Sequence, residues 1–201
     1  MIKNIVFDMG NVLVGYDAMR VCSHFIEDEE DRKAVRDAVF ISPEWLLLDM
    51  GLISEEEALK RIGGRIPQRL QPMAKLCMDH WTEFNMWPIE EMREVVEHMK
   101  RQGFGIYLCS NASNRLPECY REVIPAIELF NGVLFSAPEK CMKPQRQIYE
   151  ILFSRFGLKP EECFFVDDMQ LNIDGARECG MDGYCFEDGD IEKLKGVLYG
   201  L

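Results

Sequence analysis

The apolar positions of this chain fall into short continuous runs in some regions and into spaced, helix-like patterns in others. Short continuous apolar runs are typical of parallel strands that are buried on both faces. Four such runs stand at residues 5–7, 105–109, 133–135 and 163–166, and a fifth strand is predicted at residues 184–186. The runs therefore predict a mostly parallel sheet.

Helical patterns separate the later runs, and their ends carry charge and turn signals. Residues 88–102 begin with Pro88, place Lys100 and Arg101 in the last turn, and are followed by Gly103. This order of charge and this stop signal favour a helix. Further helices are predicted at residues 144–156, 171–179 and 191–199. Alternating strands and helices indicate an α/β fold, in which a Rossmann-like sheet carries helices on both faces.

Residues 17–87 interrupt this alternation, because they contain helix signals and no strand pattern. Ser54 begins the sequence Ser-Glu-Glu-Glu, which is a capping box at the start of a helix. Ser42 precedes a second helix, and residues 29–40 alternate at helical spacing. The pattern predicts an inserted all-helical cap of residues 17–87 and an α/β core formed by residues 1–16 and 88–201.

Composition and charge exclude some classes of binding partner and indicate a compartment. The 201 residues are 47% apolar, and the net charge of −12 argues against nucleic acid and against anionic membrane surfaces. No apolar run approaches the ~20 residues of a membrane span. None of the eight cysteines forms a C-x-x-C pair, so neither a zinc knuckle nor a thioredoxin-like motif is indicated. These features predict a cytoplasmic protein with reduced cysteines.

The polar residues that follow the predicted strands are the candidate functional residues. In an open parallel sheet, ligands bind outside the carboxyl ends of the strands. The side chains delivered there are Asp8, Ser110, Asn111, Lys143, Asp167 and Asp168. Three carboxylates in one pocket repel each other unless a cation joins them, and this set of oxygen ligands suits Mg²⁺. A carboxylate with one oxygen free of the metal is able to attack phosphorus, which gives an aspartyl-phosphate.

These residues, in this order, resemble the four motifs of the haloacid dehalogenase-like (HAD) hydrolase superfamily. The matching stretches are FDMGNVLV around Asp8, IYLCS up to Ser110, KCMKPQRQIYE around Lys143 and FFVDDMQLNIDGARECGM around the acidic pair. The resemblance covers essentially the whole chain and includes a helical cap after the first motif. The first and last stretches look most like the capped sugar-phosphatase branch, which includes bacterial alpha-glucose-1-phosphatases.

The resemblance implies a Mg²⁺-dependent phosphatase that hydrolyses a small phosphorylated metabolite, in this branch a sugar phosphate, through an aspartyl-phosphate. Asp8 would be the nucleophile, and Ser110 and Lys143 would complete the catalytic set. Ser110, Asn111 and Lys143 would bind the substrate. The metal ligands would be Asp8, the backbone carbonyl of Gly10, Asp167 and Asp168.

Gly10 departs from the family pattern. Most phosphatases of this family carry a second Asp two residues after the nucleophile, which protonates the leaving alcohol and then activates water. A glycine there lets the backbone turn and approach a metal, but it cannot move protons, a contribution typically worth ~10²–10⁴-fold. We therefore expect a leaving group more acidic than a plain alcohol, such as the anomeric hydroxyl of a sugar. Other candidate proton donors are Asn11, Tyr16, Asp17 or a residue of the cap.

Two alternatives remain open. A metal-independent haloacid dehalogenase would not need the acid, because halide leaves without a proton. The doubled carboxylate of Asp167 and Asp168 argues against this reading, since it makes little sense without a metal. A catalytically weak binding or regulatory protein would keep the same fold, although the intact set of candidate nucleophile and metal ligands argues against that reading as well.

Overall fold

Five parallel strands form one sheet at the centre of the computed structural model, which describes residues 1–201. The strands of the chain are β1 (Asn4–Phe7), β2 (Val14–Tyr16), β3 (Met86–Pro88), β4 (Gly105–Ser110), β5 (Gly132–Phe135), β6 (Cys163–Asp167) and β7 (Asp182–Cys185). The main sheet has the order β5-β4-β1-β6-β7. The four predicted buried runs are confirmed as strands, and the fifth strand begins at Asp182 rather than at Tyr184.

Helices occupy most of the remaining chain. They are α1 (Met19–Phe25), α2 (Glu29–Phe40), α3 (Pro43–Asp49), α4 (Glu55–Gly63), α5 (Gln71–Phe84), α6 (Glu91–Arg101), α7 (Leu116–Val123), α8 (Ser136–Glu139), α9 (Arg146–Phe156), α10 (Gln170–Glu178) and α11 (Ile191–Leu198). None of these helices combines the length and the apolar character that crossing a membrane requires.

Strand β1 lies in the middle of the sheet and positions the residue that follows it. It pairs with β4 on one side and with β6 on the other, so Phe7 stands between Leu108 and Val166. Because a central strand is covered on both faces, Phe7 is fully buried. The backbone N–H of Asp8 continues the ladder and donates to the carbonyl of Val166 at 2.8 Å. Asp8 therefore lies at the carboxyl end of the central strand, and this hydrogen bond fixes its backbone.

The two faces of the sheet are covered by different helices, as the alternating pattern predicts. On one face, Val6 and Phe165 belong to an apolar cluster with side chains of α9 and α10. On the other face, Ile5 and Phe7 belong to a larger cluster that includes residues of α6, α11 and the helices between β2 and β3. This is the three-layer α/β arrangement expected from the sequence.

Helices α1–α5 all lie between β2 and β3, which pair as a short antiparallel ribbon. The prediction that residues 17–87 contain no strand is wrong for the last two residues of this range, because Met86 and Trp87 belong to β3. The three-residue strand is too short to show an alternating pattern. Trp87 is 38% exposed, stacks against the guanidinium of Arg20 and lies opposite Gly15. The exact division of the chain into cap and core remains a prediction.

The two helices that were predicted from capping serines begin at the predicted positions. The hydroxyl of Ser54 accepts a hydrogen bond from the Glu57 N–H at 3.2 Å, and Ser42 accepts one from Trp45 at 3.3 Å. The long helix α5 was missed, and it has no capping side chain at its start. The helix predicted from residue 88 begins instead at Glu91, because Pro88 pairs in β3.

The turn after α3 fastens the inserted helices to the sheet. Gly51 has a φ of +63°, and a Cβ at this position would lie 2.1 Å from the carbonyl oxygen of Ala137. The hydroxyl of Ser136 donates to the Asp49 carbonyl at 2.5 Å, and the Lys140 ammonium donates to the carbonyl of Gly51. Glycine is therefore required both by the left-handed conformation and by the close approach of the α8 backbone.

We predict that Gly51→Ala destabilises the protein more than Gly189→Ala. Gly189 has a φ of +64° but nothing within 4 Å of its Cβ position, so the control variant carries only the left-handed strain, about 1 kcal/mol. Gly51→Ala adds a clash with the α8 backbone, which should cost about 1–3 kcal/mol more. Urea unfolding of the two variants measures the difference, and equal losses would contradict the close docking of this turn.

Candidate active site

A cavity of about 220 Å³ opens at the carboxyl ends of β1, β4 and β6. All but one of the predicted catalytic, substrate-binding and metal-binding residues line it, namely Asp8, Gly10, Ser110, Asn111, Lys143 and Asp168. The opposite wall comes from the ribbon and the inserted helices, and includes Tyr16, Trp45, Asp49, Trp81 and Met86. The cavity therefore lies between the sheet edge and the helices inserted after β2.

Lys143 joins two carboxylates from neighbouring strands. Its ammonium lies 2.8 Å from Oδ1 of Asp8 and 2.6 Å from Oδ2 of Asp167, and the lysine is only 1% exposed. Burial disfavours the ammonium, but the two carboxylates outweigh it and hold the pKa of Lys143 above its ordinary value. Lys143 is consequently a fixed positive charge at the base of the cavity.

Asn111 holds the loop that carries Lys143. Its amide nitrogen donates to the Lys143 carbonyl at 3.0 Å, and its amide oxygen accepts from the Lys143 N–H at 2.8 Å. Both ends of this side chain are thus used by the backbone of Lys143. The geometry makes Asn111 a positioning residue, whereas Ser110, which is 2% exposed at the end of β4, has its side chain beside the cavity.

Asp167 is the predicted site residue that does not line the cavity. Its carboxylate accepts hydrogen bonds from the Met169 N–H at 2.9 Å and from the Asn172 amide at 2.9 and 3.1 Å, in addition to the Lys143 contact. Asn172 is 3% exposed and was not recognised in the sequence as part of the site. The sequence feature that could have indicated Asn172 is its place in the first turn of α10, where a polar side chain stands on the buried face of the helix.

Asp168 faces the cavity and is oriented by Asn11. The Asn11 amide donates to Oδ2 of Asp168 at 3.0 Å. Asn11 also adopts the left-handed conformation of the turn after β1, with a φ of 55°. The expectation that Gly10 supplies this turn is therefore wrong, since Gly10 has an ordinary φ and a Cβ there would meet nothing within 4 Å.

The carboxylates fit a divalent cation with oxygen ligands. Oxygens of Asp8, Asp167 and Asp168 lie within 4.8 Å of one another, and Lys143 is the cation among them. Burial raises the pKa of Asp8 to about 6 against the opposing charge of Lys143, and burial also raises the pKa of Asp168. The cluster thus holds more negative charge than its surroundings stabilise, which a hard cation would offset.

Asp49, at the end of α3, is a third carboxyl group that lines the cavity, beside Asp8 and Asp168, and the sequence did not indicate it. Burial and the nearby charge of Asp8 raise its pKa to about 7, although the Ser113 backbone N–H opposes this shift. An acid in the last turn of a helix is unfavourable for the helix dipole, and that was the available signal.

The family assignment follows from a match over most of the chain. The sequence model described as a haloacid dehalogenase-like hydrolase matches residues 2–180. The chain belongs to the haloacid dehalogenase-like hydrolases. The motif resemblance seen in the sequence is thereby confirmed at the level of the superfamily, and the protein is an enzyme of the hydrolase class.

Curated relatives of this HAD hydrolase are phosphatases. A sesquiterpene phosphatase of Aspergillus oryzae is 25% identical over 186 residues, which cover 92% of this chain and 90% of the relative. A D-ribitol-5-phosphate phosphatase of Bacteroides thetaiotaomicron is 25% identical over 201 residues, covering 94% of each chain. The two relatives act on organic groups of opposite polarity, so they support a phosphatase but do not agree on a substrate.

Solved structures of HAD enzymes share the fold. A HAD-family enzyme of Bacteroides thetaiotaomicron, in complex with magnesium and inorganic phosphate, superposes with a TM-score of 0.70 at 22% identity, covering 92% of this chain and 93% of the other. An L-2-haloacid dehalogenase of Xanthobacter autotrophicus gives a TM-score of 0.63 at 19% identity, covering 91% and 76%. These likenesses confirm the α/β fold.

We predict that the metal-free HAD hydrolase becomes less stable as the pH rises from 5 to 8. Because the pKa of Asp8 is raised to about 6 and that of Asp49 to about 7, the folded state holds these protons more tightly than the unfolded state. Their stabilisation is complete below the ordinary carboxyl pKa of ~4 and is lost as the pH passes 6 and 7.

Asp8→Asn should remove part of this dependence and raise the free energy of unfolding at pH 8 by roughly 1–3 kcal/mol. Asp17→Asn is the control, because Asp17 is exposed and lies outside the cavity wall. Urea unfolding in chelator at pH 5 and pH 8 measures both effects. If Asp8→Asn is less stable than the unmodified protein at pH 8, the buried carboxylates do not repel as described.

Proposed function

We propose that this HAD hydrolase is a Mg²⁺-dependent phosphatase that forms an aspartyl-phosphate on Asp8. The observation that carries the proposal is the buried contact of Lys143 with Asp8 and Asp167 at the base of the cavity, next to the open carboxylate of Asp168. A fixed ammonium beside a nucleophilic carboxylate suits an anionic substrate that would otherwise be repelled. The curated phosphatase relatives support the same reaction class.

Each residue of the site has a distinct role in this proposal. Asp8 is the nucleophile, and its backbone bond to Val166 and its contact with Lys143 orient its carboxylate. Ser110 and Lys143 bind the phosphoryl oxygens, and Asn111 positions Lys143. Asp167 holds the Lys143 ammonium from the side away from the cavity. This arrangement keeps the attacking group and the phosphate-binding cation on rigid elements.

The proposed metal would be held by Asp8, the backbone carbonyl of Gly10 and Asp168, with Asp167 adjoining them. When bound, Mg²⁺ would offset the charge of the carboxylates and of the phosphoryl group. Asp167 is already saturated by the donors of Lys143, Met169 and Asn172, so it contributes mainly charge. The HAD-family enzyme of Bacteroides thetaiotaomicron, solved with magnesium and phosphate, supports this part of the proposal.

The substrate that we propose is a small sugar or polyol phosphate. The cavity volume of about 220 Å³ lies below the ~300 Å³ at which drug-sized pockets begin. Buried groups of its wall without a hydrogen-bond partner include the indole N–H of Trp81 and the hydroxyls of Tyr16 and Ser113. An unpaired buried donor costs about 1–3 kcal/mol, and hydroxyl groups of a substrate would relieve it. The D-ribitol-5-phosphate phosphatase relative agrees with such a substrate.

Specificity would come from the inserted helices. We propose that residues 17–87 form a cap domain over a core of residues 1–16 and 88–201, as in the capped sugar-phosphatase branch that the motifs resemble. The aromatic wall of the cavity supports this division, since Trp45 and Trp81 both belong to the insertion and pack edge to face at 5.2 Å. All eight cysteines are free, which accords with a cytoplasmic setting.

A substrate panel with and without Mg²⁺ tests the proposed function. We expect phosphate release from sugar and polyol phosphates in the presence of Mg²⁺, and loss of release in excess chelator. Asp8→Asn should abolish turnover, because the amide is nearly isosteric with the carboxylate but does not attack phosphorus readily. Free phosphate is measured for each ester, and the folded state of the variant is checked by its unfolding midpoint.

Each other outcome assigns a different function. Full activity in chelator together with halide release from 2-haloacids would identify a dehalogenase. Binding of phosphate esters without turnover of any of them would identify a binding or regulatory protein. Asp8→Asn that keeps most of the rate would show that another group attacks phosphorus.

A further inference from the structure

The proposed phosphatase reaction needs a proton donor that the first motif does not provide. Gly10 has no side chain, and the amide of Asn11 is bonded to Asp168 and does not titrate. The Asp17 carboxylate accepts the Met19 N–H at 2.8 Å and lies outside the cavity wall. Burial raises the pKa of the Tyr16 hydroxyl above its ordinary value, which makes it a weak acid at neutral pH. The donors suggested by the neighbouring sequence are thereby excluded.

Asp49 reaches the same cavity from the inserted helices. It is the last residue of α3, it is half-buried, and it lines the cavity together with Asp8, Gly10 and Lys143. No lysine, arginine or histidine forms an ion pair with it, in contrast to Glu44 at the start of the same helix. Its carboxyl group is thus available to a bound substrate rather than committed to a structural ion pair.

We propose that Asp49 is the catalytic acid and base of this enzyme, supplied by the inserted helices in place of the carboxylate missing at position 10. The inference rests on the proposed phosphatase function of Asp8. Asp49 would donate a proton to the leaving oxygen in the first step and accept a proton from water in the second.

The position of Asp49 is fixed by contacts with the core. Its own carbonyl accepts the Ser136 hydroxyl at 2.5 Å, and that hydroxyl also accepts the Ala112 N–H at 2.8 Å. Two residues further on, the Gly51 carbonyl accepts the Lys140 ammonium, and Gly51 packs directly on the Ala137 backbone. A side chain on this turn is therefore held at a set distance from β1 and β4, although it belongs to the insertion.

The empty space beside Gly10 supports the same assignment. A Cβ built at Gly10 meets no atom within 4 Å, so the usual place of the second carboxylate is open. Gly10 and Asp49 line one cavity. A leaving group that lies beside Gly10 is therefore in the same cavity as the Asp8 and Asp49 carboxyl groups.

The charges around Asp49 suit a group that gains and loses a proton near neutral pH. The ionisable side chains that share the cavity with it are Asp8, Tyr16, Lys143 and Asp168. On the elements that pack against α3, Lys140 is bonded to the Gly51 carbonyl and Glu55 is paired with Arg115. Burial and the charge of Asp8 raise the pKa of Asp49 to about 7, which is near the optimum for proton transfer at neutral pH.

The proton balance of the two steps is complete with this one group. In the first step, an Asp8 oxygen forms a bond to phosphorus while the bond to the leaving oxygen breaks, and that oxygen takes the proton of Asp49. In the second step, the Asp49 carboxylate takes a proton from water as the water oxygen attacks phosphorus. Phosphate leaves, the Asp8 carboxylate is restored, and Asp49 is protonated again.

This assignment reverses the expectation drawn from Gly10 alone. With Asp49 as acid, the enzyme does not need a leaving group of low pKa, and esters of plain alcohols are substrates. The rate of the first step should depend only weakly on the pKa of the leaving group. That dependence should become steep when Asp49 cannot donate a proton.

Single-turnover kinetics of Asp49→Asn, in the presence of Mg²⁺, test the proposal. Two esters are compared, 4-nitrophenyl phosphate with an acidic leaving group and a sugar phosphate whose leaving group is a primary alcohol. Asp17→Asn is the matched control, since it exchanges a nearby carboxylate outside the cavity and the Asn amide oxygen is still able to accept the Met19 N–H. Asp8→Asn serves as the variant without a nucleophile.

We expect Asp49→Asn to lose ~10²–10⁴-fold in the first step with the alcohol ester. With 4-nitrophenyl phosphate it should retain a burst of nitrophenol, followed by slow turnover, because hydrolysis of the aspartyl-phosphate also lacks its base. Asp17→Asn should behave as the unmodified enzyme. In the double variant Gly10→Asp/Asp49→Asn, the new carboxylate in the open space should restore part of the rate with the alcohol ester.

Equal losses with both esters would overturn the proposal, because a structural role does not distinguish leaving groups. An unchanged rate with the alcohol ester would overturn it as well. Should Asp49→Asn fail to fold, the unmodified enzyme still decides, since a steep dependence on leaving-group pKa would contradict an internal acid. Absence of phosphate release by the unmodified enzyme from every ester, with Mg²⁺ present, would instead refute the phosphatase function itself.

Discussion

The buried ammonium of Lys143 is the interaction on which the site depends. It lies between Asp8 of the central strand and Asp167 of the neighbouring strand, with all three side chains nearly inaccessible. Removing this ammonium would leave the Asp8 and Asp167 carboxylates without a counter-charge, and breaking a buried pair in this way typically costs ~3–5 kcal/mol, similar to the loss of a large core side chain. Asn111 accepts the Lys143 N–H and so fixes the loop that carries the ammonium, and the Asn172 amide donates to Asp167 and so fixes the carboxylate that holds it.

A second consequence of this cluster is an excess of negative charge beside the cavity. The cluster has three carboxylates but only one ammonium, which contacts Asp8 and Asp167. Burial raises the pKa of Asp8, Asp49 and Asp168. The same repulsion that destabilises the metal-free site favours a divalent cation and a proton on Asp49. The carboxylates that the proposed reaction needs therefore lower the stability of the metal-free protein, as is common for ionisable groups at functional sites.

The parts of the structure that could be predicted from the sequence are those with strong local signals. The buried runs around Phe7 and Phe165 gave the sheet, and the Ser54 capping box gave the start of α4. The position of Asp8 at a strand end was enough to group it with Lys143, because parallel strands end at one edge. Ribbon β2-β3 was missed because three residues are too few for an alternating pattern.

Asp49 and Asn172 show why the rest of the site was not predictable. Each comes to the cavity or to its base through tertiary packing, Asp49 by the docking of the α3 turn on α8 and Asn172 by the packing of α10 on the sheet. Neither belongs to a local pattern that fixes its distance from Asp8. The local sequence also did not indicate that Asn11 adopts the left-handed conformation in the turn after β1.

In the proposed reaction, Asp8 carries the phosphoryl group during turnover. The most direct measurement is to mix the enzyme with Mg²⁺ and a phosphate ester, quench in acid within the first turnover, and search the digested protein by mass spectrometry. The account predicts a phosphoryl group on the peptide that contains Asp8, and none on that peptide from Asp8→Asn. Steady release of phosphate without any phosphorylated peptide, or a phosphoryl group on another residue, would contradict it.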